Sequence, residues 1–360
     1  MHRIYIQSCK PGMRLGKPIF NETGKMLLGI GVELTEELIS KLYYAGVDSL
    51  FIDDELTSDI VIEEPVSAKT VQLTLTTLKK TFQDAFNNKF MQSLAKSNFL
   101  QEYRKIMEAL LSDLTNNKSA LLMLHKIFVK DSYLYTHSLN VAIYTITLGI
   151  AKGYNYKELY ELGLGALLHD IGKTQIPQGI LNKPGPLTEE EFSEMKKHPD
   201  YGFEMMRQVS GFPLLAAHIL YQHHEHCDGS GYPRGITGDK IHDFAKIVAV
   251  ADTYDSLTSE RVYRKKILPH EALEYLYIQA GKLYNKKIIE LFRDNIAIYP
   301  IGVTVTLNNG YQGVVIDINN KFPARPILRI ISDEDGNRID KPFEIDLSKE
   351  LGYIISKCSC

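Results

Sequence analysis

The stretch Leu164-Gly165-Ala166-Leu167-Leu168-His169-Asp170-Ile171-Gly172-Lys173 decides how the centre of this chain is read. Leu164, Leu167 and Leu168 recur at helical spacing, and Gly172 suggests that the helix ends there. A histidine and an aspartate at the end of a rigid apolar helix suit metal ligation inside a helical bundle. One such pair is a weak signal, since most histidines in helical proteins are packed or solvated residues. Here His137 precedes the pair, and His198, His223, His224 and Asp252 follow it. His137 itself lies on an apolar helical run, 134–150, sharing a face with Val141 and Leu134.

Imidazole nitrogen and carboxylate oxygen suit iron, manganese, zinc or nickel, and the absence of cysteine from the set argues against a thiolate zinc site. The donors outnumber what one catalytic ion needs, so two ions are expected. Asp170 has two oxygens with which to bridge them. Two metals about 3.5 to 4 Å apart are a usual arrangement for phosphate-ester hydrolysis, which makes phosphodiester hydrolysis the leading reaction class.

The runs His169-Asp170-Ile171-Gly172-Lys173, Lys183-Pro184-Gly185-Pro186-Leu187-Thr188, His198-Pro199, His223-His224-Glu225 and Asp228-Gly229-Ser230-Gly231-Tyr232-Pro233 follow one another in order. With Val250-Ala251-Asp252-Thr253-Tyr254-Asp255-Ser256-Leu257-Thr258-Ser259-Glu260-Arg261, they resemble the HD-GYP domain, a subgroup of the HD phosphohydrolases, over about residues 130–296. The resemblance implies an all-helical domain that hydrolyses the bacterial messenger cyclic di-GMP at a nonheme centre of two divalent ions, iron or manganese. Carried over residue by residue, it implies His169, Asp170, His198, His223, His224 and Asp252 as ligands, with Asp170 bridging. His137 matches a histidine that serves a third metal in some members. Those members place a glutamate where Tyr133 stands here, so His137 is expected as a peripheral ligand or a residue behind the ligands; Asp131 lies on another face of the helix.

The resemblance also implies that Lys173 neutralises a phosphate oxygen or protonates the leaving alkoxide, and that Arg261 and Arg264 grip substrate phosphates. Without the motif, Lys173 would read as a solvated helix-end lysine and the arginines as an exposed charged face. The expected reaction is in-line attack by a hydroxide bridging the two ions, giving pGpG, with GMP after a second cut. Gly231-Tyr232-Pro233 reads as a rigid turn. In the family this loop is linked to substrate access and to recognition of partners, notably diguanylate cyclase domains. The remaining histidines carry plainer readings: His125 as core or interface, His218 on a different face, His226 solvated, and His242 and His270 as surface or capping groups. Cys227 is the thiol nearest the proposed centre.

The 360 residues suggest several units, and 44% hydrophobic content can fill their cores. We divide them into a small α+β module (1–62), a helical connector (63–130), the HD-GYP bundle (131–297) and a small SH3-like β-barrel with a tail (298–360). Ile4-Tyr5-Ile6, Pro18-Ile19-Phe20 and Met26-Leu27-Leu28 read as short N-terminal strands, with a helix capped at Thr35 and a closing strand over Val47–Ile52. Leu73, Leu75, Leu78, Phe82 and then Tyr103, Ile106, Leu110, Leu111, Leu114 mark two amphipathic connector helices, which either pack on the bundle or pair with a second subunit as a homodimer. Asn309-Gly310 predicts a hairpin turn in the last module. A net charge of -3 gives no reason to expect a nucleic-acid polymer as partner. Cys9, Cys227, Cys358 and Cys360 show no framework spacing, there is no secretory signal, and the longest apolar run, Leu139–Ala151, is too short for a bilayer, so a cytoplasmic protein is expected. Cys358-Ser359-Cys360 has the make-up of a metal site or a redox pair, with a frayed tail the plainer reading. Two alternatives stay open: hydrolysis of another nucleotide or cyclic dinucleotide, and a catalytically silent messenger-binding protein, whose mark would be missing ligands.

Overall fold

The computed structural model describes all residues except 21–25, 48, 88–89, 91–97, 117–132, 260–265, 320 and 360. Asp131, His125, Arg261, Arg264 and Cys360 therefore lie outside the described residues.

The N-terminal module follows its sequence pattern closely. β1 (His2–Tyr5) and β2 (Arg14–Leu15) flank β5 (Ser49–Asp53) in an antiparallel sheet, and β3 (Ile19–Phe20) pairs with β4 (Met26–Leu28). Helix α1 (Glu36–Tyr44) starts at Thr35, whose hydroxyl accepts the Leu38 N–H at 3.2 Å, with Glu36 and Glu37 in the first turn, where the helix dipole favours negative charge.

The connector helices α2 (Ala68–Phe86) and α3 (Phe99–Asn116) turn their apolar faces onto the bundle. Leu75, Leu78, Phe82, Tyr103, Ile106, Leu110 and Leu111 are buried in the same core as the bundle helices, whereas Leu73 is exposed. Of the two readings of these helices, intramolecular packing is the one observed.

The bundle comprises α4 (Tyr133–Ala151), α5 (Tyr156–Leu168), the 3-10 turn Ile171–Gln175, the short α6 (Gln178–Leu181) and α7 (Glu189–Met195), α8 (His198–Arg207), α9 (Leu214–Gln222), α10 (Asp243–Thr258), α11 (Pro269–Ile278) and α12 (Lys286–Asn295). A capping box between Asn155 and Glu158 starts α5. The helix ends at Leu168, earlier than Gly172 suggested, and Gly172 serves the 3-10 turn that follows. A Cβ there would stand 1.9 Å from the His198 carbonyl oxygen and 2.5 Å from the Gly202 nitrogen, so only glycine lets the turn after His169-Asp170 rest against the backbone of α8. No helix among the described residues is long and apolar enough to cross a membrane.

The last module has five antiparallel strands in the order β10-β6-β7-β8-β9: β6 (Thr304–Leu307), β7 (Gln312–Asp317), β8 (Ile327–Ser332), β9 (Arg338–Asp346) and β10 (Ile355–Cys358). The expected barrel closure is not observed, because β9 and β10 remain the two edges of an open sheet. The neighbouring module covers one face instead. Val314 and Ile331 join Ile4, Leu15, Leu50 and Phe51 in one apolar cluster, while Val315, Leu328 and Ile330 belong to the core of the bundle. Alternation along β7 points Val314 and Val315 to these opposite sides. The tail is not frayed: β10 pairs with β6, the Ser359 N–H bonds to the Thr304 carbonyl, and its hydroxyl donates to the Arg3 carbonyl at 2.8 Å. Cys358 is buried and disulfide-bonded, whereas Cys9 and Cys227 are free thiols.

Candidate metal centre

Three of the expected ligands use the same local device. His169 follows α5, His198 follows α7 and His223 follows α9, positions where helix carbonyls lack intrahelical partners. Each ring returns three residues: His169 Nδ1–H donates to Ala166 (2.7 Å), His198 to Met195 (2.8 Å) and His223 to Leu220 (2.9 Å). A carbonyl can only accept, so the proton sits on Nδ1 and each Nε2 presents a lone pair inward. His137, on α4, is held by a carboxylate instead: its Nδ1 lies 2.8 Å from Asp255, which also accepts from Asn140 at 2.9 Å.

These atoms converge in two groups, Asp170 with His198, His223 and His224, and His137 with His169 and Asp252; within each, the ligand atoms lie within 4.8 Å of one another. Asp170 Oδ1 is 3.5 Å from His198 Nε2 and 3.9 Å from His223 Nε2. Its Oδ2 faces the other group, 3.4 Å from His169 Nε2 and 3.7 Å from His137 Nε2. His137 thus stands within the cluster rather than at its edge, with Nε2 3.0 Å from Asp252 Oδ1. Tyr133 begins α4, one turn before it.

The donor set fits metal ions on physical grounds. Among the described residues His169 Nε2 and Asp170 Oδ1 are buried without a hydrogen-bond partner, a costly arrangement unless something outside the chain satisfies them. Burial pushes His198 down to about 4 and His223 to about 3, and lowers His224 well below the usual imidazole range, so all three are neutral at pH 7. The Nε2 atoms of His198 and His223 are only 3.3 Å apart, so two lone pairs face each other unless a cation or proton lies between them. Burial opposes charge on Asp170, yet the Lys173 ammonium and His169 hold its carboxyl well below the ordinary range. Asp252 is likewise held low against burial, by the His137 imidazole 3.0 Å away. Ionised carboxylates and neutral imidazoles are the states that bind metals.

Lys173 Nζ lies 2.6 Å from Asp170 Oδ2, at the rim of the cluster. Among the other histidines, His242 caps α10 through the Phe244 N–H, as read from sequence. His226 is half-buried against Ser230, His270 bonds Tyr299, and His218 is half-buried beside Phe203. Asp255 escaped the sequence reading as a site residue. Its signal was its place on α10 three residues after Asp252, which puts both carboxylates on one face.

An HD domain model matches residues 122–288, and a model of the KOW domain associated with HD domains matches residues 304–359. The cyclic di-GMP phosphodiesterase PA4108 of Pseudomonas aeruginosa is 33% identical over 227 residues, covering 62% of this chain and 54% of that protein. A cyclic di-GMP phosphodiesterase of Thermotoga maritima is 33% identical over 260 residues, 71% of this chain and 67% of that protein. The 3'3'-cGAMP-specific phosphodiesterase 2 of Vibrio cholerae is 36% identical over 160 residues, 44% of this chain and 31% of that protein. The chain therefore spans about half the length of the first of these relatives and about two thirds of the second. Likeness at this level, over the segment that carries the two ligand groups, means that the chain belongs to the HD domain family.

Proposed function

We propose that this chain is a metal-dependent phosphodiesterase that hydrolyses a cyclic dinucleotide, with cyclic di-GMP as substrate and linear pGpG as first product. The observation that carries the proposal is the division of Asp170, whose two oxygens face two separate groups of donors. That arrangement suits a bridging carboxylate between two ions, for which iron or manganese matches the nitrogen and oxygen donors. His198, His223 and His224 would hold one ion, and His137, His169 and Asp252 the other, which makes His137 a full ligand. Two ions bound there supply an activated water and charge to stabilise the phosphoryl oxygens. Lys173, held on Asp170 at the rim, contributes positive charge to a phosphate oxygen or a proton to the leaving alkoxide. Arg261 and Arg264 would grip the substrate phosphates, and we assign catalysis to the unit 131–297.

The relatives named for cyclic di-GMP favour that substrate, and the Vibrio relative named for 3'3'-cGAMP supports a second reading in which the mixed dinucleotide is the preferred one. Purified protein loaded with Mn²⁺ or Fe²⁺ and offered a panel of cyclic dinucleotides tests both. Turnover of cyclic di-GMP that vanishes in the His169→Ala/Asp170→Ala variant is expected. Faster turnover of 3'3'-cGAMP would shift the substrate assignment, and no turnover of any cyclic dinucleotide would refute the proposal.

A further inference from the structure

His224 differs from the other histidines of the cluster. His169, His198 and His223 each donate Nδ1–H to a backbone carbonyl, and His137 is fixed by Asp255. Among the described residues no hydrogen bond holds the His224 ring. Three rings lie against it: His223 tilted at 4.1 Å between centroids, His198 edge-on at 4.9 Å, and Tyr232, the one that lies flat on it, stacked at 4.7 Å with only 24° between the planes. A ring lying flat on an imidazole limits its rotation about the Cβ–Cγ bond, the same freedom that a carbonyl contact removes.

The loop carrying Tyr232 is built to hold that position. The Tyr232 N–H donates to the His224 carbonyl at 3.1 Å. Gly231 lies so close to the chain after the histidine pair that a Cβ would stand 2.3 Å from the His226 nitrogen and 2.5 Å from the His224 oxygen. Glu225, buried directly after the pair, closes the loop from below: one carboxylate oxygen accepts the Arg234 N–H at 2.9 Å and the other the Ile236 N–H at 3.0 Å.

We infer that Tyr232 is a positioning residue for His224, its ring replacing the backbone carbonyl that orients other histidines of the centre, and that Glu225 holds the loop in place for it. The inference rests on the metal-centre reading and assigns the Gly231-Tyr232-Pro233 loop a role in metal affinity. It concerns one of the two ion positions, the one shared by Asp170, His198, His223 and His224.

The test uses the full chain stripped of metal and titrated with Mn²⁺ by calorimetry, with bound Mn²⁺ per chain counted after desalting. Tyr232→Leu is expected to weaken one of two ions by roughly 10- to 100-fold, the usual loss when a residue orienting a ligand is removed. Tyr232→Phe keeps the plate and should stay within about threefold of the wild type. Glu225→Gln, left with a single acceptor oxygen for two N–H groups, should weaken the same ion by roughly 10-fold. Wild-type affinity for both ions in Tyr232→Leu overturns the inference, as do equal losses in the Leu and Phe variants. Should Tyr232→Leu not fold, Glu225→Gln decides, and unchanged affinity there overturns it. Failure of the metal-centre reading looks different: His169→Ala and Asp170→Ala would then bind Mn²⁺ as the wild type does.

Discussion

The metal centre and the joint between the two small modules bury similar polar groups and treat them in opposite ways. On the N-terminal side of the joint His2 meets Thr57 at 3.0 Å and Arg3 donates to Ser49 at 2.7 Å, and across it the Arg3 N–H finds the Gly302 carbonyl. At the centre, His169 Nε2 and Asp170 Oδ1 are just as deeply buried but find no hydrogen bond among the described residues. Polar groups buried and matched support a fold; polar groups buried and left open mark a place where something else binds. The difference lies in the direction of the lone pairs, and burial alone would not reveal it.

The strongest challenge to this contrast is the His169→Ala/Asp170→Ala variant. Hydrolysis should fall by at least ~10³-fold while far-UV circular dichroism stays near wild type, because the lost groups serve a ligand more than the fold. Gly172→Ala asks how the open donors are brought together. With backbone atoms 1.9 and 2.5 Å from the added carbon, α8 must move away, at a cost of about 3 kcal/mol, read as a lowered denaturation midpoint. A midpoint within error of the wild type would remove the close-approach argument.

The matched side is tested by pH. Burial lowers His2 to about 4 from its ordinary 6.5, so the folded state resists a proton that the unfolded chain accepts. The stabilising contribution is therefore complete above pH 6.5 and is lost as pH falls towards 4, on the order of 3 kcal/mol in all. His2→Gln should flatten the fall in stability between those values, and an unchanged pH profile would contradict it. The smallest effect is expected from Arg329, which reaches Asp59 at 2.6 and 2.9 Å across the joint. Asp59 is solvated, so Arg329→Ala should cost no more than about 1 kcal/mol by chemical denaturation.

Much of the centre was legible before any coordinates. Histidines and aspartates were read as ligands from residue type and spacing, and they do converge: His137, His169, Asp170, His198, His223, His224 and Asp252 form two adjoining groups. Helices α2 and α3 were legible from their apolar spacing, and α1 from its Thr35 cap, since these signals are local. The misreadings share a cause. Cys358 and Ser359 were read as part of a frayed tail because the short strand 355–358 that anchors them shows only once β6 offers it a ladder, and barrel closure was inferred without knowing that residues 1–62 would cover one sheet face. Asp255 and Tyr232 were quoted as motif letters, and their partners, His137 and His224, are visible only in space.

By itself the sequence determined which atoms are available to a metal, because donor chemistry belongs to the residue and survives any folding. It also placed His169 and Asp170 at a helix end, since periodicity acts over a few residues. Tertiary structure alone decided which donors converge. The contacts that divide Asp170 between two groups join residues up to 53 positions from it, as His223 is. Such distances depend on how closely whole helices approach, and here that approach is set where the Gly172 turn meets α8 without a side chain between them.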